Sequence, residues 1–380
     1  MTIVYLFPEL SLLAGSIRVI IEKANYLADY CGYDVYIITD SHRGRPIPFA
    51  LSAKVHHIDL GLNFDKQYGH SILIRAYIYF KLMRRYKREL KRLINEISPD
   101  FIIGTFGREI DFLTKLRIRG KIIFEAHTVK DNLRNLSEMK SKGGIYCYIA
   151  KYWQKKIDKV AQKAAAVVVL AEREKSSWKN VCNVEIIPNS LPFYPELPSI
   201  KKENKNVIAV GRLSEEKGYD LLVQAWAIVV KKHPDWKLHL YGEGKLAPML
   251  QEQIKALGIE DSLHIEKPVS DIQNKYLESD FLILSSRYEG FGMVLIEAMA
   301  CGIPCVSFEC PYGPAEIITN NIDGILVPNA NIQALADSAC WMIENTQKRK
   351  LMGEIGRKKV LSYTPEHIMA KWINLFEKLL

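Results

Sequence analysis

A chain of 380 residues, 48% of them hydrophobic, with a formal net charge of +9 is globular and too long for one ordinary core, so two domains are expected. The charge is lopsided: residues 1–190 hold 31 Lys and Arg against 19 Asp and Glu, and the remainder 21 against 24, so one half is built to meet something negative and the other is not. No apolar run reaches the roughly eighteen residues of a membrane span, no repeat or low-complexity segment occurs, and seven scattered cysteines fit a reducing compartment better than a disulfide framework.

The chain opens on Ile3 to Phe7, an apolar run suited to a strand, without the basic start and long apolar stretch of a secretion signal, and this points to the cytoplasm. Further candidate strands are Val35 to Thr39, Phe101 to Gly104, Lys121 to Glu125 and Ala166 to Leu170, with amphipathic helical stretches between them. From Tyr79 to Ile97 the residues Tyr79, Met83, Tyr86, Leu90, Leu93 and Ile97 share one helical stripe. The opposite face carries Lys81, Arg84, Arg85, Lys87, Arg88, Lys91 and Arg92. Such a row is either a solvated surface or a contact with an anionic leaflet, where each charge contributes about 1 kcal/mol. Nucleic acid is the weaker reading, because no recognised binding module accompanies the charge.

Pro188, Pro192, Pro195 and Pro198 mark a stiff extended connector. A second series of strands then begins at Val207 to Gly211 and continues with Lys237 to Tyr241, Leu263 to Glu266, Phe281 to Leu284, Pro304 to Phe308 and Gly324 to Val327. Two doubly wound parallel sheets follow, an α/β fold with Rossmann-like domains over 1–190 and 191–362.

The first strand of the second series runs into Gly211-Arg212-Leu213-Ser214-Glu215-Glu216-Lys217-Gly218 and then a helical pattern. This sets a guanidinium and an ammonium on a strand-to-helix loop, at the edge where open α/β sheets bind ligands. Arg212 can fork onto two phosphate oxygens and Lys217 adds a mobile point charge. Gly242-Glu243-Gly244-Lys245-Leu246-Ala247, with Glu266 ending the next strand, superficially meets the dinucleotide rule of a dehydrogenase. That fingerprint belongs on a sheet's first strand, however, and here it follows the domain's second.

Glu289 to Glu297 is the most informative stretch. A buried strand, Phe281 to Leu284, leads into a turn holding Gly290 and Gly292, and Val294 to Ala300 are apolar with helical spacing. Free backbone N–H groups at that helix start, aided by the helix dipole, favour a phosphate or carboxylate. Glu289 and Glu297 suit hydroxyl groups at either end of the ligand, and a nucleotide sugar has hydroxyls at both ends. The competing reading is a helix cap and a solvated glutamate. Cys301, Cys305 and Cys310 lack the paired spacing of a zinc site and read as small buried thiols. No Asp-x-Asp occurs anywhere.

Taken together, Gly211 to Gly218, the Glu289 to Glu297 element followed by Ala298-Met299-Ala300-Cys301-Gly302-Ile303-Pro304, Ile187-Pro188-Asn189, Tyr312-Gly313-Pro314-Ala315-Glu316-Ile317-Ile318 and Asp323-Gly324-Ile325-Leu326-Val327 resemble a family 4 retaining glycosyltransferase of the GT-B fold. The resemblance spans nearly the whole chain and is strongest in the second domain. It implies that the second domain binds a sugar nucleotide, the first binds the acceptor, and the chemistry lies in the cleft between them. By the same resemblance Arg212 and Lys217 hold the diphosphate and neutralise the leaving group, Glu289 faces the donor sugar, Phe291, Gly292, Met293 and Val294 offer backbone N–H groups, and Glu297 binds the ribose. His127, in Phe124-Glu125-Ala126-His127-Thr128, matches the family's cleft histidine. Gly15 and Arg18 fall in the loop expected to close over the donor phosphates, although Ala14-Gly15-Ser16-Ile17-Arg18 departs from the usual Gly-Gly-x-Glu-Arg.

Further expectations follow from that resemblance: a UDP-sugar donor with GDP as the other possibility, a glycan or lipid-linked acceptor at the inner face of the membrane, and no cofactor or metal ion. Segment 363–380, with Ile368, Trp372, Leu375, Phe376 and Leu379 on one stripe, is expected to cross back to the first domain. The alternative function is a non-catalytic sugar-nucleotide-binding subunit of a membrane glycan-assembly complex.

Overall fold

The computed structural model describes residues 1–196 and 203–380; Leu197 and Pro198 of the proline-marked connector lie outside them. The chain forms two compact units, Met1–Pro188 with Pro365–Leu380, and Asn189–Thr364.

In the first unit seven parallel strands, β1 (Thr2–Phe7), β2 (Asp34–Thr39), β3 (Val55–Asp59), β4 (Phe101–Gly104), β5 (Lys121–Glu125), β6 (Ala166–Val169) and β7 (Val184–Ile186), pair in the order β3-β2-β1-β4-β5-β6-β7. Ile3, Val4, Tyr5 and Leu6 are all buried, as a central strand covered on both faces requires, and this is why it reads as an unbroken apolar run. The helices are α1 (Gly15–Asp29), α2 (Ile72–Ile97), α3 (Leu136–Ser141), α4 (Ile145–Ala161) and α5 (Glu172–Lys175). Val4, Leu6, Ile102 and Phe124 share a core with Tyr86, Leu90 and Ile94 of α2 and Ile157 of α4. The opposite face takes α1 and the C-terminal helix Pro365–Leu379: Phe101 stacks on Phe376 at 4.9 Å, and the ammonium of Lys23 sits 4.1 Å from the ring of Trp372. The chain leaves the sheet's middle in one direction through β2 and β3, returns by way of α2, and continues in the other direction from β4. That reversal opens a crevice outside the carboxyl ends of β1 and β4.

The second unit repeats the plan with six parallel strands, β8 (Asn206–Val210), β9 (Lys237–Tyr241), β10 (Leu263–Glu266), β11 (Phe281–Leu284), β12 (Cys305–Glu309) and β13 (Gly324–Pro328), ordered β10-β9-β8-β11-β12-β13. Its helices, in chain order, are α6 (Tyr219–Lys232), α7 (Ala247–Ala256), α8 (Ile272–Leu277), α9 (Met293–Ala300), α10 (Pro314–Ile317), α11 (Ile332–Glu344) and α12 (Thr346–Lys359), and the C-terminal helix is α13. Trp226 of α6, fully buried among Leu222, Leu238 and Leu335, anchors one face; truncating such a side chain costs about 3–5 kcal/mol. Here the reversal falls between β8 and β11, so the loops after those two strands face each other across the crevice.

Candidate active site

The loop after β8 is held down by glycines. Gly211 has φ +155°, and a Cβ there would lie 2.5 Å from the Tyr219 hydroxyl; Gly218 has φ +61°, and its Cβ would meet the Ser285 carbonyl oxygen at 2.1 Å. No side chain larger than hydrogen allows that approach. The contact brings the loop against the end of β11, where Ser285 Oγ donates to the Lys217 carbonyl at 2.9 Å. Arg287 completes the staple: its guanidinium binds Asp220 through two bonds of 2.8 and 2.7 Å, and it donates to the Glu215 carbonyl at 2.8 Å. The fixed fork of Arg matches such a bidentate carboxylate.

This staple delivers Lys217 to Glu289. The ammonium lies 2.6 Å from Glu289 Oε1, and Ser286 Oγ donates to the same oxygen at 2.6 Å. The turn itself is closed by the Tyr312-Gly313 segment: Tyr312 pairs with Glu289 as an isolated bridge, and a Cβ on Gly313 would strike the Phe291 carbonyl at 2.3 Å. Gly290 and the buried Phe291 follow, Gly292 takes φ +97° as the residue before α9, and Met293 and Val294 form the first turn, whose amides lack intrahelical acceptors. Glu297 lies one turn further on, buried, and accepts a hydrogen bond of 2.9 Å from the Tyr276 hydroxyl of α8. Burial, and then the charge of Glu297, push the Tyr276 phenol well above its usual range. Tyr276 therefore stays a donor at neutral pH.

Arg212 stands apart from this cluster, with 74% of its side chain exposed and its guanidinium 3.5 Å from Glu216. The glycines of the dehydrogenase-like pattern have a packing role instead of a cofactor: a Cβ on Gly242 would meet the Gly211 carbonyl at 2.0 Å, and one on Gly244 the Leu213 carbonyl at 2.4 Å. Cys301, Cys305 and Cys310 are buried free thiols, and among the described residues no group of three His, Cys, Asp or Glu is arranged around a metal position.

In the first unit His127 lies just past the end of β5, its side chain 11% exposed. Neither ring nitrogen has a hydrogen-bond partner among the described residues, and Nε2 lies 3.7 Å from Glu125 Oε2. Glu125 is paired in the core with Lys23 of α1, whose ammonium is enclosed by Trp372 and Tyr5. Burial lowers both Lys23 and His127 below their usual ranges, with Glu125 opposing. On Glu125 burial acts upward, but Lys23 and His127 outweigh it and hold the carboxyl low. The result is a buried anion beside a neutral imidazole. Gly15 and Arg18 belong to the first turn of α1, not to the loop before it, and Arg18 pairs with Glu22 at 2.7 Å. Ala14 at the N-cap offers no capping side chain, so the sequence carries no start signal there.

The structure thus joins Lys217 to Glu289, gives Glu297 a partner in Tyr276, and leaves Arg212 in solvent. Ser286 and the Asp220–Arg287 staple were not singled out by sequence. The available signal was polar residues following the fully apolar β11, at the edge where parallel sheets bind ligands.

A family described as glycosyl transferases group 1 matches residues 193–359, the segment that carries both crevice loops. Over 309 residues, 77% of this chain and 82% of the relative, the sequence is 31% identical to the amylovoran biosynthesis glycosyltransferase AmsD of Erwinia amylovora. The chain belongs to the group 1 glycosyl transferases. A second relative, an uncharacterized glycosyltransferase of Haemophilus influenzae, is 29% identical over 370 residues, covering 94% of this chain and 95% of that one. In fold this glycosyltransferase is similar to S. aureus TarM, solved in complex with fondaparinux, alpha-GlcNAc-glycerol and UDP, with a TM-score of 0.81 and 17% identity over 99% of each chain. The GT-B architecture and the assignment as a glycosyl-transferring enzyme follow.

Proposed function

We propose that this glycosyltransferase moves a hexosyl group from a UDP-sugar to a glycan or lipid-linked sugar acceptor in the assembly of a cell-surface polysaccharide or glycan, with retention of the anomeric configuration and without a metal ion. The observation that carries the reading is the Lys217–Glu289 pair at 2.6 Å beside the glycine turn and the start of α9. Without donor, the two charges satisfy each other. A bound UDP-sugar offers each a better partner, diphosphate for the ammonium and sugar hydroxyls for the carboxylate. Arg212, exposed beside Glu216, folds onto the diphosphate, and the N–H groups of Phe291 to Val294 donate to phosphate and sugar oxygens. Gly211, Gly290 and Gly292 let the ligand approach the backbone, while Glu297, oriented by Tyr276, takes the ribose hydroxyls. Gly15 and Arg18 contribute to the donor phosphates from the first turn of α1.

In the transfer the bond between the anomeric carbon and the β-phosphate oxygen breaks. The acceptor oxygen bonds to that carbon on the same face, its proton passes to the departing phosphate oxygen, and UDP leaves. Lys217 and Arg212 stabilise the charge that develops on the diphosphate; one oriented donor at such an oxyanion contributes roughly 3 kcal/mol. His127, neutral at the end of β5, hydrogen-bonds the reacting sugars. The printed name of AmsD, in amylovoran biosynthesis, and the UDP in TarM support donor and acceptor class. Exposed Lys81, Arg84, Arg85, Lys87, Arg88, Lys91 and Arg92 on α2 support peripheral attachment to the inner membrane face; no helix among the described residues is long and apolar enough to cross a membrane. No observation favours the non-catalytic alternative. The test is turnover of a UDP-sugar panel with and without chelator, with the product anomer read by NMR. Undiminished turnover in chelator and a product anomer matching the donor are expected; an inverted product or loss of turnover in chelator contradicts the reading.

A further inference from the structure

Helix α2 is much longer than the sheet it covers. Its 26 residues extend roughly 39 Å, whereas strands of at most six residues span about 20 Å. The residues it buries, Tyr86, Leu90 and Ile94, all lie in its second half. All strands of this sheet are parallel and each helix returns the chain to the start of another, so α2 and α4 run against the strands. Their N-terminal ends therefore stand at the carboxyl edge, the edge that binds ligands in such sheets. At that edge the two helices meet over Asp111: Tyr79 of α2 donates to Asp111 Oδ2 at 3.3 Å, and Lys156 of α4 pairs with the other oxygen. Residues 72–77 of α2 overhang, exposed on every side.

The overhang is not polar. Leu73, Tyr77 and Phe80 recur at helical spacing and are 84, 67 and 57% exposed, a stripe separate from the core stripe. On α4, Ile145, Tyr148 and Tyr152 do the same at 71, 74 and 61%. Cations border both: the Arg84 guanidinium lies 4.4 Å from the Phe80 ring, Lys81 follows Phe80 at the edge of the first stripe, and Lys151 and Lys155 border the second, while Arg75 lies on the other side of α2, 5.4 Å from the Tyr68 ring. Segment 66–88 holds seven Lys and Arg, segment 139–157 five, and neither holds an Asp or Glu, although Arg88, Lys140, Lys142 and Lys156 pair with Glu89, Asp131, Glu138 and Asp111 outside those segments.

We propose that the two projecting helix ends form a collar that inserts into the headgroup region of an anionic phospholipid bilayer, a contact that rests on the membrane-borne acceptor read above and moves its apolar anchor to the first turns of α2 and to α4. Exposed aromatic and aliphatic side chains bordered by cations suit an interface that is apolar below and negatively charged above. The cation row on the later turns of α2 is weaker by comparison, because no exposed large apolar side chain of α2 lies beyond Phe80. Docked this way, the carboxyl edge of the first unit's sheet faces the lipid headgroups.

The test is co-sedimentation of the full chain with vesicles of phosphatidylcholine alone or with one third phosphatidylglycerol, at low salt and at high salt, with UDP binding measured in parallel by calorimetry. The chain is expected to bind the anionic vesicles and to retain part of that binding in high salt. A Leu73→Ser, Tyr77→Ser, Phe80→Ser triple variant should lose roughly thirtyfold or more in partitioning, with UDP affinity unchanged. Lys81→Glu with Lys155→Glu should weaken the preference for anionic lipid while leaving the fold intact, since both residues are exposed. Wild-type binding that is absent, or a triple variant that binds like wild type, overturns the collar. So does a change of oligomeric state in the triple variant with vesicle binding intact, which makes the patch an interface between copies. If vesicle binding behaves as expected but no UDP binds, the donor reading fails and the collar stands.

Discussion

Replacing Lys217 by alanine removes the ammonium that lies 2.6 Å from Glu289, with two consequences of different size. In the free protein, Glu289 keeps the 2.6 Å hydrogen bond from Ser286, and the paired side chains retain 19 and 10% exposure. The stability loss is therefore about 1–2 kcal/mol, less than the 3–5 kcal/mol of a fully enclosed pair. In the reaction Lys217 faces the charge that grows on the departing diphosphate, where one oriented donor contributes roughly 3 kcal/mol; kcat should fall about a hundredfold or more. Single-turnover release of UDP at saturating donor measures the second effect and chemical denaturation the first. A folded Lys217→Ala enzyme within threefold of wild-type kcat would refute the assignment, whatever its stability.

Breaking the buried pair in the first unit should be costlier for the fold than breaking the one in the crevice: Lys23→Met leaves Glu125 enclosed without its cation and is expected to lower the unfolding free energy by about 3–5 kcal/mol, which denaturant titration checks. Gly218→Ala puts a Cβ 2.1 Å from the Ser285 carbonyl at φ +61°, so it should destabilise the second unit and cut donor turnover, whereas Gly32→Ala, with φ +65° and nothing within 4 Å, should cost only the backbone strain of about 1–2 kcal/mol; equal loss of turnover in both contradicts the close-approach argument. Burial raises Glu174 from 4.5 to about 8, against opposition from Lys130 and Trp178. A carboxyl raised on folding favours the folded state fully below about pH 4.5 and loses that contribution as pH rises to 8. Glu174→Gln should therefore become progressively more stable relative to wild type between pH 5 and 8, by up to about 1.4 kcal/mol per pH unit; a stability difference independent of pH shows that the group does not titrate there.

The central strands were legible because both their faces are covered, which makes Ile3 to Leu6 or Phe281 to Leu284 continuous apolar runs. The edge strands β3 and β7 escaped notice for the converse reason: His56, His57 and Glu185 interrupt short segments that have a neighbour on one side only. At the site, Lys217, Glu289 and Glu297 could be read from spacing because each follows a strand or opens a helix in its own segment. Their partners could not. Tyr276 comes from α8, and Asp220 reaches Arg287 only because β8 and β11 are neighbours in the sheet, a pairing of segments more than sixty residues apart. The Lys23–Glu125 pair was hidden for the same reason, since the order β1-β4-β5 and the helix packed across it bring together residues 102 positions apart. Helix α2 was legible from Tyr79 onward as an amphipathic stretch, but its first turns, Ile72 to Tyr77, became meaningful only when the length of the sheet beneath them was known.

The different duties of the two glutamates are the centre of the account. Calorimetric binding of UDP, without sugar, to Glu289→Gln and Glu297→Gln tests them directly. Glu297→Gln should weaken UDP about ten- to a hundredfold, the value of a hydrogen bond to a charged group, while Glu289→Gln should stay within about threefold of wild type because its partner in the complex is the sugar that UDP lacks. Equal loss of UDP affinity in both variants would contradict the account.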